Sequence, residues 1–394
     1  MHDVCLIVEG AYPRVTGGVA EWVQQLTSNL PAVSFAVVSL TGEDGDRLAP
    51  AYRPPANVEL LELPFAPDRP DVTREVEAHV PEAAVYHAAA TGAAGVLGAR
   101  SAAARGRGFL LTEHAVTWDE VRRSGISACN PHLHHVGVPA GDRRSWADLH
   151  RRLAVEAYAG AHAVTGVSPS TVRLQRSLGA RSLLLQNGVA LTAAGARAEA
   201  AGRTPVPPAA GPRVGFVGRV APVKDVVTFL RACRLVADEV PGAEFVVVGP
   251  LHHEPLYAER CSEEARRLGL GESVSFVGEA DPHPWYPTLA ALVLTSVSEA
   301  QPLVALEAMA AGVPVVATAV GGCPELLAGA GLITPTRDPR ATARAVVRLL
   351  SDPELHATLA AAGRARAHAA HGIERMAASY EALYRAVAEP TTRA

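Results

Sequence analysis

The sequence predicts an α/β protein of two successive parallel-sheet domains. Three observations carry that expectation. At 394 residues the chain is too long for one ordinary core. Its short apolar runs are continuous and rich in β-branched residues, the pattern of strands buried on both faces of a parallel sheet, and helical patterns lie between them. Finally, residues 190–212, ALTAAGARAEAAGRTPVPPAAGP, carry no apolar periodicity and many Ala, Gly and Pro, and so read as a linker.

The linker divides the chain into an N-terminal domain over 1–189 and a C-terminal domain over 213–374. A last helix over 375–394 is expected to pack back on the first domain. In the first domain VCLIVEG, SFAVVSL, VELLELP, GFLLTEH, AVTGVS and SLLLQN read as strands, with helices at 19–30 and 147–160. TGAAGVLGAR (91–100) is glycine-rich but is not G-x-G-x-x-G, and no strand clearly precedes it. It reads as helix packing, which removes the best support for a dinucleotide oxidoreductase. In the second domain RVGFVG, EFVVVG, SVSFVG, ALVLTS and VPVVAT read as strands, each followed by helix or loop.

Composition removes several classes of function. The net charge is −4 and no Lys/Arg run exceeds a pair, so there is no footprint for nucleic acid or an anionic membrane. No apolar run approaches 18 residues, so no integral membrane segment is expected. MHDVCLIVEG lacks a basic signal-peptide start, which points to the cytoplasm. The five cysteines are odd in number and contain no C-x2-C pair, so reduced, mostly buried thiols are expected. HLHH (His132, His134, His135) and LHHE (His252, His253, Glu254) lack metal-ligand spacing and read as solvated loop histidines, so no metal is expected. No G-x-S-x-G elbow is present for a serine hydrolase. Oligomeric state is left open, a homo-oligomer included.

The chemistry is expected in loops that follow strands. Gly17 and Gly18 stand just before an amphipathic helix, where bare backbone N–H groups let an anion approach closely; a plain loop-to-helix joint is the alternative. In GRVAPVKD, Arg219 ends a strand and Lys224 precedes a helix. Lys224 is the only lysine in a chain that writes its other basic residues as arginine. Ammonium is a compact point charge on a flexible stem and guanidinium a planar fork, so a site that retains lysine has a use for that geometry. In TSVSEAQPLVALEAM, Glu299 falls in the loop and Glu307 in the helix, and Pro302 suits the first helical turn. Eight helical steps leave two residues only about 80° apart, so both carboxylates can face one ligand.

The set GRVAPVKD, SEAQPLVALEAMAAGVPVVATAVGGCPEL and GGVAEW resembles the retaining glycosyltransferases of family 4, which have the GT-B fold of two Rossmann-like domains facing across a cleft. EGAYPRVTGGVAEWV, LTEH, VGRVAPVKDVVTFLRA and TSVSEAQPLVALEAM look most like the branch containing the Pel exopolysaccharide glycosyltransferase. The resemblance implies that Arg219 and Lys224 bind the donor diphosphate, Glu299 contacts donor-sugar hydroxyls and Glu307 holds the ribose. It also implies that Gly17 and Gly18 face the diphosphate and His114 lies near the reacting sugar. Gln301, Pro302 and Leu303 complete the implied donor set. His114, Arg219, Lys224 and Glu299 form the implied catalytic set.

The implied partners are a nucleotide sugar, UDP favoured and GDP the alternative, and an acceptor that is a small metabolite or a saccharide. No cofactor is implied. Residues 115–150 are expected to line the acceptor side, with Trp118, Arg122 and Arg123 as candidate contacts. Glu113 reads either as functional or as a strand-end structural group. A nucleotide-sugar epimerase and a non-catalytic binding protein are the other classes. A phosphorylase would need a pyridoxal-phosphate lysine, and Lys224 already sits in the diphosphate loop.

Overall fold

The computed structural model describes residues 1–10, 12–41, 50–64, 74–125, 141–191 and 211–388. The chain divides into two compact units, Met1–Asn187 with the segment from Ile373 onward, and Gly188–Gly372. Of the 190–212 linker expectation, residues 192–210 lie outside the described residues, as do His132, His134, His135 and Cys129.

The first unit runs β1 (His2–Glu9), α1 (Gly18–Ser28), β2 (Phe35–Thr41), β3 (Val58–Pro64), α2 (Arg74–Ala78), β4 (Ala83–Ala88), α3 (Ala93–Arg105), β5 (Gly108–Glu113), α4 (Thr117–Ser124), α5 (Arg143–Gly160), β6 (Ala163–Gly166), α6 (Pro169–Ser177) and β7 (Ser182–Leu184). Its seven-stranded sheet has the order β3-β2-β1-β4-β5-β6-β7, with every pairing parallel. β1 and β2 are buried almost throughout, which is why they read as unbroken apolar runs. α6 starts where Ser168 accepts the Thr171 N–H and Pro169 takes the first position.

β4 corrects the sequence reading of 91–100. AAVYHA is half alanine and lacks the β-branched signature of a strand. It nevertheless pairs with both β1 and β5, so a strand does precede the glycine-rich turn into α3.

The second unit runs β8 (Arg213–Val217), α7 (Val226–Glu239), β9 (Glu244–Val248), α8 (Pro255–Arg267), β10 (Val274–Gly278), β11 (Ala291–Leu294), α9 (Leu303–Ala310), β12 (Val315–Thr318), α10 (Cys323–Leu327), β13 (Gly331–Thr334), α11 (Pro339–Ser351) and α12 (Pro353–Ala370). Its parallel sheet has the order β10-β9-β8-β11-β12-β13. Two apolar clusters flank it. One is built on Phe216, Phe229 and Phe245, the other on Leu292, Leu306 and Met309. Among the described residues no helix is long and apolar enough to cross a membrane.

The final helix, α13 (Ile373–Ala388), packs in the first unit. Buried His87 on β4 bonds the Tyr384 hydroxyl at 2.9 Å and the Thr112 hydroxyl at 2.8 Å, tying α13 to the sheet. Burial pulls the His87 pKa down to about 3, so its ring is neutral and each nitrogen has a partner.

Candidate functional site

In the second sheet, successive strands run from β8 outward through β9 to β10 on one side and from β11 through β12 to β13 on the other. The β8/β11 boundary is therefore the topological switch point, where loops leaving neighbouring strand ends part and a ligand can enter. The loop after β8 carries Arg219, which is half-buried, and ends in one 3₁₀ turn, Pro222–Lys224. Asp225 adopts a left-handed conformation (φ 46°) and accepts hydrogen bonds from the Thr228 N–H at 3.3 Å and hydroxyl at 2.7 Å, which starts α7.

The loop after β11 is fastened to this turn. The Val297 N–H donates to the Val223 carbonyl at 2.8 Å, and the Thr295 hydroxyl lies 3.0 and 2.9 Å from the carbonyls of Lys224 and Asp225. So held, Lys224 Nζ donates to Glu299 Oε1 at 2.5 Å, and Ser296 Oγ donates to the same oxygen at 2.7 Å. The Glu299 side chain is 8% exposed and that of Lys224 20%, so the pair is largely out of water with an edge left open. Two residues assigned separate tasks in the sequence are thus bonded to each other.

The loop after β12 closes on the same backbone. Gly321 has φ 51°, and a Cβ there would lie 1.4 Å from the Glu299 carbonyl oxygen, so glycine is required. The Gly322 N–H donates to the Ala300 carbonyl at 2.9 Å. Next to it, burial, and after it the Glu299 charge, push the Cys323 thiol far above its usual range, so it is an inert packing group. Cys5, Cys233 and Cys261 are likewise free and buried.

Glu307 lies on α9 and accepts a hydrogen bond from the Tyr286 hydroxyl at 2.6 Å. Pro302 is the N-cap of α9 rather than its first helical residue, with ψ 118° placing it in the extended region. Gln301 and Leu303 are both buried beside it.

In the first unit, Gly17 is the N-cap of α1 and Gly18 its first residue, with no side-chain cap. α1 also carries buried Trp22, whose ring meets that of His114 edge-on with centroids 4.5 Å apart, so the structure brings the glycine-started helix and His114 together. Burial lowers the His114 pKa to about 3, and its Nε2 has no hydrogen-bond partner among the described residues.

Glu113 is fully engaged. Oε1 accepts from the Thr91 hydroxyl at 2.8 Å, and Oε2 accepts from the Tyr158 hydroxyl and from Gln175 Nε2 at 3.0 Å. Burial raises its pKa against these bonds. The pattern is that of an internal structural carboxyl. On α4, Arg122 and Arg123 both pair with Asp119, at 2.8 and 2.7 Å, and Trp118 packs against the apolar core beside the sheet.

The first sheet's own switch point lies between β1 and β4. Here Glu9, at the end of β1, accepts the Ala94 N–H of α3 at 3.0 Å. A Cβ at Gly92 would lie 2.4 Å from the same carboxylate oxygen. Burial raises the Glu9 pKa, and the α3 amides pull it the other way. Sequence reasoning passed over Glu9, Tyr286 and Ser296; a carboxylate at a strand's C-terminal end was the available signal for the first. Among the described residues no three His, Cys, Asp or Glu side chains converge as a metal site, and His252 lies 3.9 Å from Glu279 at the surface.

Residues 211–352 match the family model "Glycosyl transferases group 1", and residues 2–75 and 69–182 match "Domain of unknown function (DUF3492)". A D-inositol 3-phosphate glycosyltransferase of Streptomyces scabiei is 34% identical over 181 residues, which is 43% of this chain and 40% of that protein. The chain thus spans about two fifths of the length of that curated relative. The solved sucrose-phosphate synthase of Thermosynechococcus elongatus superposes with a TM-score of 0.76 at 23% identity, covering 98% of this chain and 99% of that one. The Anabaena protein HepE, solved in complex with UDP, gives 0.72 at 19% identity, covering 98% and 100%. These likenesses establish the GT-B fold.

Proposed function

We propose that this chain is a retaining, metal-independent glycosyltransferase. It moves a sugar from a nucleotide-diphosphate sugar, UDP-linked in preference to GDP-linked, to a hydroxyl or other nucleophile of a small-molecule or saccharide acceptor in the cytoplasm. The observation that carries the reading is the Lys224–Glu299 pair at the β8/β11 switch point, inside the segment that matches group 1 glycosyl transferases. The UDP bound to HepE and the sugar-transfer names of the relatives support the donor class.

The leaving nucleoside diphosphate gains negative charge as the glycosidic bond breaks, and fixed cations lower that barrier most. Arg219 and Lys224 supply them, with Gly17 and Gly18 assigned to the same diphosphate and Glu307, braced by Tyr286, to the ribose. Glu299 takes donor-sugar hydroxyls. His114, neutral at working pH, steadies the sugar rather than taking a proton. No carboxylate is assigned as a nucleophile, so a covalent double displacement lacks its partner. The acceptor instead attacks from the leaving-group face, and a departing phosphate oxygen takes its proton.

A thermal-shift panel of nucleotides and nucleotide sugars, followed by transfer with the best donor, tests the reading. Stabilisation by a uridine diphosphate sugar, turnover in excess EDTA and an α-linked product from an α-linked donor, read from the anomeric proton coupling, are expected. No stabilisation by any nucleotide sugar overturns the donor class. Metal-rescued loss in EDTA overturns the metal-free route, and a β linkage overturns retention.

A further inference from the structure

We propose that Ser296 is a positioning residue that fixes the orientation of the Glu299 carboxylate, and so the direction in which its second oxygen is offered to the ligand, and thereby sets discrimination for the sugar half of the donor. The inference rests on the role given to Glu299 above. Ser296 is fully buried, two residues past the end of β11. Its carbonyl accepts the Thr318 hydroxyl at 2.5 Å from the end of β12, and its neighbour Thr295 is pinned to the Lys224 turn. The hydroxyl therefore sits on a fixed piece of backbone. Its one proton goes to Glu299 Oε1, at 2.7 Å.

Oε1 receives two donors, Ser296 Oγ and Lys224 Nζ. Oε2 accepts no hydrogen bond from any described residue. A carboxylate torsion is broad and two-fold when nothing fixes it, and a lysine on a four-carbon stem is a poor guide because it follows wherever the oxygen goes. Ser296 is the rigid contact. With it in place the carboxylate is held in one plane, one oxygen bonded to Ser296 and Lys224 and the other an acceptor suited to a hydroxyl. The Lys224 ammonium has given one of its three N–H groups to Glu299, leaving two for phosphate oxygens. Ser296 thereby separates the two tasks of one ion pair: the cation serves the diphosphate and the carboxylate serves the sugar.

The test compares two ligands in the same variant. Dissociation constants for the preferred nucleotide sugar and for its nucleoside diphosphate are measured by calorimetry on wild type, Ser296→Ala and Ser296→Cys. Cysteine keeps the side chain's size while its thiol is only a weak donor. In both variants the ratio of the two constants should shift about tenfold against the sugar-bearing ligand, the size expected for a hydrogen bond to a charged group, with the diphosphate changing less than threefold. If Ser296→Ala does not fold, Ser296→Cys carries the comparison. An unchanged ratio, whether both ligands weaken equally or neither does, overturns the proposal. Failure of the underlying reading is seen separately, in wild type, as absence of binding by every nucleotide sugar; the inference then falls with it.

Discussion

The two sheets are wound alike, yet their switch points are furnished in opposite ways. In the first unit the carboxylate leaving the central strand, Glu9, turns onto the N-terminus of the next helix across the sheet and accepts an α3 amide. In the second unit the carboxylate of the corresponding crevice, Glu299, is held by Lys224 and Ser296, and α9 follows its N-cap Pro302 with no side-chain cap. One crevice is filled by the protein's own carboxyl group. The other keeps a cation beside an uncapped helix start, the combination that suits a phosphate. Topology offers the same position twice, and side chains decide how each one is furnished.

The largest test of this contrast is Lys224→Ala, which should lower donor turnover about a hundredfold in a steady-state transfer or donor-hydrolysis assay. Lys224→Arg should recover little, because a planar guanidinium fork on a longer stem cannot donate from the same point to both Glu299 and a phosphate. Near-full activity in the arginine variant at saturating donor would show that charge alone matters.

Glu9→Ala strips the filled crevice. It should cost roughly 1–2 kcal/mol of stability, the range for a lost helix cap, in urea denaturation. Nucleotide-sugar affinity should hold, and a parallel loss of affinity would end the assignment of the first crevice as purely structural.

A third test uses pH. The folded pKa of His114, about 3, is depressed below its ordinary value of 6.5. Its contribution to stability is therefore complete above pH 6.5 and lost as pH falls toward 3, by at most about 1.4 kcal/mol per pH unit. His114→Phe, which keeps a ring against Trp22, should fold at neutral pH and lose less stability across that window. Equal acid slopes for the two proteins would mean that His114 is not buried in its neutral form.

The smallest effect is expected from Gly18→Ala. A Cβ at Gly18 has nothing within 4 Å, so the melting temperature should stay level or rise slightly. Donor affinity should fall several-fold if backbone at α1 must meet the diphosphate, and unchanged donor affinity would remove Gly18 from the donor site.

Both units were legible in their strands, with one strand missed in each. RVGFVG, EFVVVG, SVSFVG, ALVLTS and VPVVAT all hold strands, because buried parallel strands announce themselves as unbroken β-branched runs. β13, Gly331–Thr334, is a partly exposed edge strand and so lacks the unbroken buried run, and alanine-rich β4 has the wrong residues for one. Missing β4 hid the first switch point, and with it the meaning of Gly92. The positions of Glu299 in a loop and Glu307 in a helix could be read from local spacing. Their partners could not.

Sequence alone determined the α/β alternation, the division into two sheets and the placing of Arg219, Lys224, Glu299 and Glu307 in loops or helices that follow strands. Periodicity and turn chemistry are local, so a window of ten or so residues holds the information. Tertiary structure decided which charges meet. Lys224 and Glu299 stand 75 residues apart and Glu9 and Ala94 85 apart. Each contact exists because strand order sets β8 beside β11 and β1 beside β4. No local pattern encodes that adjacency. It follows from how whole layers bury their apolar faces, and the carboxylates then take the nearest donors that the packing supplies.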